Sequence, residues 1–269
     1  MSYIKFKKTK IVATLGPGCS SKTMLQRLIK AGVNVFRINF SHATYDEADR
    51  HIDLIRSLNQ ELDANVAILA DLQGPKIRVG KMEDGVVFKK GDEFTLSTTK
   101  EIVGNKTKAS LSYKDFAKDV KKGDKVLVDD GKLIFEVIST NKKDEVKLRN
   151  LQGGKLTSKK GVNLPNTKIS TPSLTIKDKK DLMYAISKEL DWVALSFVRD
   201  ANDMINLRKI IERESEEKIP IIAKIEKQEA IRNINAIINA SDAIMVARGD
   251  LGVEVPPQKV PVYQKMIVN

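Results

Sequence analysis

Two short segments carry charge where a buried strand would stay apolar. "AKIE" holds Lys224 and Glu226, and "ARGD" places Arg248 and Asp250 after "DAIMV". Lys224 and Glu226 are two apart, so on a strand they point to the same side. A hard divalent cation such as Mg2+ or Mn2+ takes one or two carboxylates, plus substrate oxygens and water. Glu226 and Asp250 suit that task. An ammonium beside them, Lys224, suits a phosphoryl group whose charge spreads over its oxygens during transfer. The competing reading is structural: two ion pairs that use up Lys224 and Arg248. "ARGDLG" should turn into a short helix whose N–H groups receive an anion, with Gly249 admitting close backbone approach.

"RINFSH" adds a second set. Arg37 can clamp a phosphate. Asn39 and Ser41 alternate with it and can offer oxygens to a cation. His42 reads equally as a structural hydrogen bonder or a nucleotide contact. His51 falls inside a helix and is expected on the surface. "GPGCS" is too generic to be a phosphate loop.

These residues need elements to hold them. "KIVATLGPG" reads as strand and loop, and "SSKTMLQRLIKAG" as a helix with Met24, Leu25, Leu28 and Ile29 on one face and Gly32 at its end. "VNVFRINF" is the second strand. The helix after it has capping-box spacing at Thr44 and Glu47 and a stripe of Ala48, Ile52, Ile55 and Leu58. "NVAILADLQGP" is the third strand, apolar until Asp71, as suits a parallel strand covered on both faces. From about Ile77 to Pro165 the helical period disappears. Short β-rich pieces alternate with turn pairs, and "DDGK" reads as a hairpin. The β/α rhythm then resumes: a helix over "SLTIKDKKDLMYAISKEL", the strand "DWVALSF", a helix, the strand "IPIIAKIE", one helix over "QEAIRNINAIINA", the strand "DAIMVARGD" and a proline-led helix.

About six β/α units result, with one β insertion. Such units build either a (β/α)8 barrel or an open doubly wound sheet. No GxGxxG opens the first helix, which weighs against the dinucleotide-binding sheet. Catalytic residues of a barrel stand at the C-terminal ends of several strands. Polar residues fall there repeatedly: Arg37, Asn39 and Ser41, then Asp71, Ser196, Lys224 with Glu226, and Arg248 with Asp250. The expected fold is therefore α/β, an incomplete TIM-type barrel with an inserted small all-β lid domain. The expected boundaries are 1–75, 76–165 for the insertion, and 166–269.

Composition narrows the setting. The chain has 269 residues, 41% hydrophobic and 30% charged, enough for real cores. Its net charge of +12 is largely lysine, dense between Lys81 and Lys160. That excess either attracts phosphates or solubilises the surface. No basic helix, aromatic stacking strip or zinc spacing points to nucleic acid. The single cysteine, Cys19, excludes an internal disulfide and fits a reducing compartment. No stretch approaches the roughly 20 apolar residues of a membrane span, so a cytoplasmic protein without a membrane partner is expected.

Together, "KIVATLGPGCSS", "GVNVFRINFSHATYDE", "ILADLQGPKIRVG", "SKKGVNLP", "DWVALSFVRD", "IPIIAKIEKQEAIRNI" and "SDAIMVARGDLGVEVPPQKVPVYQKMI" resemble the pyruvate kinase family, in the family's order and over nearly the whole chain. The resemblance implies phosphoryl transfer from phosphoenolpyruvate to ADP, giving pyruvate and ATP in glycolysis. It implies Arg37 and Lys224 as catalytic residues, both on the substrate's phosphoryl group. It implies Gly249 and Asp250 at the substrate carboxylate, with Glu226 and Asp250 on Mg2+ or Mn2+. Asn39, His42, Arg78 and Lys160 would face the nucleotide. Asn39, Ser41, Asp71 and the Leu72 carbonyl would form a monovalent-cation site. The full-length protein would be a homotetramer.

Two departures stand out. Lys76 in "DLQGPKIR" occupies the place where potassium-dependent members carry Glu. Its ammonium could supply the charge that K+ otherwise brings, so activity without added K+ is expected. The family also continues past the position of Asn269 with two further barrel strands, a threonine tied to proton delivery and an effector-binding domain. The expectation is a fragment that can lack activity alone. The rival readings are a metal-dependent lyase or aldolase acting on an enolate, and a non-catalytic module. ADP binding and the insertion separate the first from a kinase.

Overall fold

The computed structural model describes residues 8–99, 101–165 and 167–269. Two compact units compose the chain. The first comprises Met1–Gly74, Ser173–Lys224 and Asn235–Met245, and the second Pro75–Pro172, Ile225–Ile234 and Val246–Asn269.

In the first unit a parallel sheet grows in chain order. β1 (Val12–Thr14), β2 (Val35–Asn39) and β3 (Ala67–Asp71) are joined through α1 (Lys22–Ala31) and α2 (Tyr45–Leu62). Both helices start and stop as their ends dictate. Ser21 accepts the Met24 N–H at the start of α1, and Gly32 closes it at φ 102°. Thr44 and Glu47 form the reciprocal capping box of α2, whose buried stripe is Ala48, Ile52, Ile55 and Leu58. The insertion then intervenes. After it come α4 (Ile176–Ser187), β12 (Trp192–Leu195), α5 (Ala201–Glu214) and β13 (Ile221–Ile225). Next in the chain are α6 (Gln228–Arg232), which falls in the second unit, α7 (Ile234–Ala240) and β14 (Ala243–Val246). The strand order is β1-β2-β3-β12-β13-β14. A doubly wound sheet would reverse that order at a switch point. No reversal occurs, so this is six strands' worth of an incomplete (β/α) barrel.

The single helix expected over "QEAIRNINAIINA" is two. At Asn233 the backbone turns to φ −104°, ψ 15°, the sparsely allowed bridge region, and α6 and α7 part there. Across α2 and α4, Tyr45 and Tyr184 stack at 4.4 Å with an interplanar angle of 11°. Their hydroxyls donate to Asp181 at 2.8 Å and Asp49 at 2.6 Å.

The second unit contains the insertion. A separate all-β sheet runs β11-β7-β8-β9-β5-β6. Its strands are β5 (Glu93–Ser97), β6 (Lys108–Ser110), β7 (Lys125–Val128), β8 (Leu133–Thr140), β9 (Glu145–Gln152) and β11 (Val162–Asn163). β4 (Val87–Phe88) and β10 (Gly154–Lys155) pair alongside, and α3 (Phe116–Asp119) is a single turn. The expected hairpin joins β7 and β8, with Asp129, Asp130 and Gly131 all at positive φ. One feature has no periodic signature in the sequence. The extended stretch at Arg78 and Val79 bridges Gly161 beside β11 and Leu111 beside β6, linking the two edges of the sheet. Phe88, Phe94 and Phe135 meet inside at centroid distances of 4.9 to 5.7 Å, within this sheet's own apolar core. α8 (Arg248–Glu254) and α9 (Val260–Val268) pack through Leu251, Val255 and Val260.

Candidate active site

The first unit gathers its polar strand ends into one network. On β2 the burial alternates, with Phe36 and Ile38 buried and Arg37 and Asn39 on the other side. Register then fixes the neighbours: Thr14 lies opposite Arg37, and Asn39 opposite Asp71. The Asp71 side chain is 2% exposed. Its Oδ2 accepts from Arg37 Nε at 2.7 Å and from Lys224 Nζ at 3.3 Å. The Lys224 ammonium also lies 3.1 Å from Oδ1, off the line of a hydrogen bond, so that contact is Coulombic. Arg37 further donates to Thr14 Oγ1 at 3.1 Å. Lys224 donates to Ser196 Oγ at 2.7 Å, and Ser196 donates to the Leu72 carbonyl at 2.6 Å. Two cations thus share one buried carboxylate.

The expected monovalent-cation ligands are only partly brought together. Asp71 and the Leu72 carbonyl already accept from Arg37, Lys224 and Ser196. Asn39 Oδ1 accepts the Ser41 N–H at 3.0 Å. Lys76, in the second unit, carries no ion pair among the described residues, and its charge is uncommitted.

A cleft of about 550 Å3 opens beside this network in the same unit. Asn39 and His42 line it, as do Thr14 at the end of β1, Gly16 and Pro17 just after it, and Glu47, Arg50, His51 and Leu54 from α2. His51 therefore corrects the expectation of a surface residue. It is half-buried, because the α2 face that carries it turns toward the cleft, and burial lowers its pKa. Reasoning from sequence missed Glu47, Arg50 and Leu54. Their spacing from Asn39 and His42 across a loop gives no shared period.

In the second unit Glu226 is 2% exposed, just past β13. Asp250 is exposed in the first turn of α8, the short helix expected after "ARGD". Beside Gly249 there is open space, with no atom within 4 Å of where a side chain would begin. The donor chemistry fits Mg2+ or Mn2+: one or two hard carboxylates, the remaining positions left to substrate and water. Among the described residues no group of three or more His, Cys, Asp or Glu forms a cage of its own. Arg78 lines a separate cleft of about 790 Å3 with Lys81, Lys114 and Lys159. Lys160 is held by Asp129 at 2.9 Å, and this contact keeps the Asp129 carboxyl below its ordinary range.

An incomplete (β/α) barrel that gathers two cations, hydroxyls and a buried carboxylate at its strand ends belongs to the (β/α)-barrel class, whose functional residues stand at those ends. The comparisons give the family. The model "Pyruvate kinase, barrel domain" matches residues 6–269, and the chain belongs to that family. Similar proteins include the pyruvate kinases of Staphylococcus saprophyticus, 46% identical over 265 residues, and of Staphylococcus haemolyticus and Staphylococcus aureus, both 44% identical. Each match covers 98% of this chain and 45% of the relative, so the chain spans about half the length of the curated relatives it matches.

Proposed function

We propose that the chain carries the phosphoryl-transfer residues of a pyruvate kinase, moving the phosphoryl group from the enol oxygen of phosphoenolpyruvate to the terminal phosphate oxygen of ADP. The observation that carries this reading is the pair of cations, Arg37 on β2 and Lys224 on β13, oriented by one buried carboxylate, Asp71, at the end of β3. Arg37 grips the phosphate before transfer. Lys224 meets the charge that spreads over the phosphoryl oxygens in flight, and its hydrogen bond to Ser196 fixes the ammonium without neutralising it. Asp71 holds both cations against their mutual repulsion. Glu226 and Asp250 hold Mg2+ or Mn2+, which when bound screens the phosphate oxygens. The open backbone at Gly249 and Asp250 receives the substrate carboxylate.

Asn39 and His42, which line the cleft, and Arg78 and Lys160 are the nucleotide contacts this reading assigns. Lys160 must then exchange Asp129 for the nucleotide. Lys76 replaces the charge of K+. The active protein is soluble, and in its full-length form a homotetramer.

The experiment is conversion of phosphoenolpyruvate and ADP to pyruvate with Mg2+. It is run on this chain and on the chain extended to the length of its relatives. Pyruvate that requires both ADP and Lys224 supports the reading. Failure of the extended protein to form pyruvate, with ADP still unbound at millimolar concentration, overturns it.

A further inference from the structure

A buried ion pair joins the residue after Glu226 to the residue one helical turn after Asp250. Lys227 Nζ stands 2.9 Å from Glu254 Oε2, with the two side chains 4% and 1% exposed. The contact is off the hydrogen-bond line, so it is held by charge. Glu254 Oε1 accepts from Asn163 Nδ2 at 3.1 Å. Leu251, Val255 and Val260 pack nearby, with Ile231 partly buried against them. Burying such a pair costs desolvation that apolar residues of similar size avoid, so stability alone is a poor reason to keep it.

Chain connectivity supplies another reason. Lys227 directly follows Glu226. Glu254 lies four residues after Asp250 on α8, one turn along the same face. α8 has seven residues, too few to hold itself in place. Leu251 and Val255 give it depth in the core, but apolar contact is non-directional and fixes no register. The charge pair does, and Asn163 ties the same carboxylate to β11, three residues past Lys160.

We infer that Lys227, Glu254 and Asn163 form a latch that sets the spacing between Glu226 and Asp250, making Lys227 and Glu254 positioning residues for the divalent cation. The inference rests on the metal reading of Glu226 and Asp250 given above. Outer groups that orient metal ligands typically matter by about 10- to 100-fold in affinity.

The test is Mn2+ binding to the full 269-residue chain, read from the electron paramagnetic resonance of free Mn2+, alongside urea unfolding. Glu226→Gln should abolish binding. The double variant Lys227→Met with Glu254→Met should unfold at or above the parent's urea midpoint yet bind Mn2+ at least about tenfold more weakly. If that variant fails to fold, the double variant Lys227→Gln with Glu254→Gln decides, since it keeps a similar shape and the Asn163 hydrogen bond while dropping both charges. The same weakening is then expected. Binding within twofold of the parent, while Glu226→Gln still abolishes it, overturns the latch alone. Unchanged binding in Glu226→Gln overturns the metal reading, and the latch with it.

Discussion

Asp71 sits between the Arg37 guanidinium and the Lys224 ammonium, and removing its charge would leave two cations facing each other near the protein interior. Asp71→Asn should therefore destabilise the chain by about 3 kcal/mol, measured by urea unfolding. Lys224→Gln has a different signature. It should keep the fold and lower phosphoryl transfer in the extended protein by about 100-fold or more, with the KM for phosphoenolpyruvate little changed, because the ammonium acts on charge that develops in transit. Sequence reasoning placed both residues at strand ends, since alternation decides which side of a strand a residue faces. It could not assign Asp71 to Lys224, because partners across strands depend on register. Lys227 and Glu254 were missed for a related reason. Lys and Glu are almost never fully buried unless paired, and a pairing 27 residues apart leaves no trace in local pattern.

The first-unit helices were the most legible elements. Capping residues and apolar stripes are local, and α1, α2 and α4 follow them closely. The insertion was legible only as β-rich, since isolated bridges such as Arg78 to Gly161 have no period to detect. The tyrosine pair between α2 and α4 offers a check at this scale. The Tyr45 phenol is pushed up to about 12 by partial burial and by the Asp181 carboxylate that accepts its proton. Tyr184 is raised as well, by burial and by Asp49. A phenol raised on folding keeps its proton where the unfolded chain has released it. The stability it carries is whole below the unfolded value near 10 and is lost as pH climbs toward about 12. The stability lost between pH 10 and about 12, measured by urea unfolding at each pH, should thus be smaller in Tyr45→Phe, which has no proton to lose there.

At the scale of the whole molecule, the extended protein should reach full turnover in sodium or tetramethylammonium salts, with Lys76 in place of K+. Lys76→Glu should then restore a K+ requirement. Turnover of the parent rising more than about tenfold on adding K+ would refute the role given to Lys76. The insertion has a consequence for folding as well. β3 must find β12 across about 120 residues, from Asp71 to Trp192. Yet the insertion's entry and exit are clasped, since the Val162 N–H bonds to the Ile77 carbonyl at 2.9 Å and Arg78 pairs with Gly161. If the insertion folds first, the free chain left to close is about 40 residues. By the logarithmic cost of closing loops, that shortening lowers the entropic barrier by about 1 kcal/mol. The inserted sheet would then act as a splint during synthesis, bringing the two halves of the barrel within reach of each other.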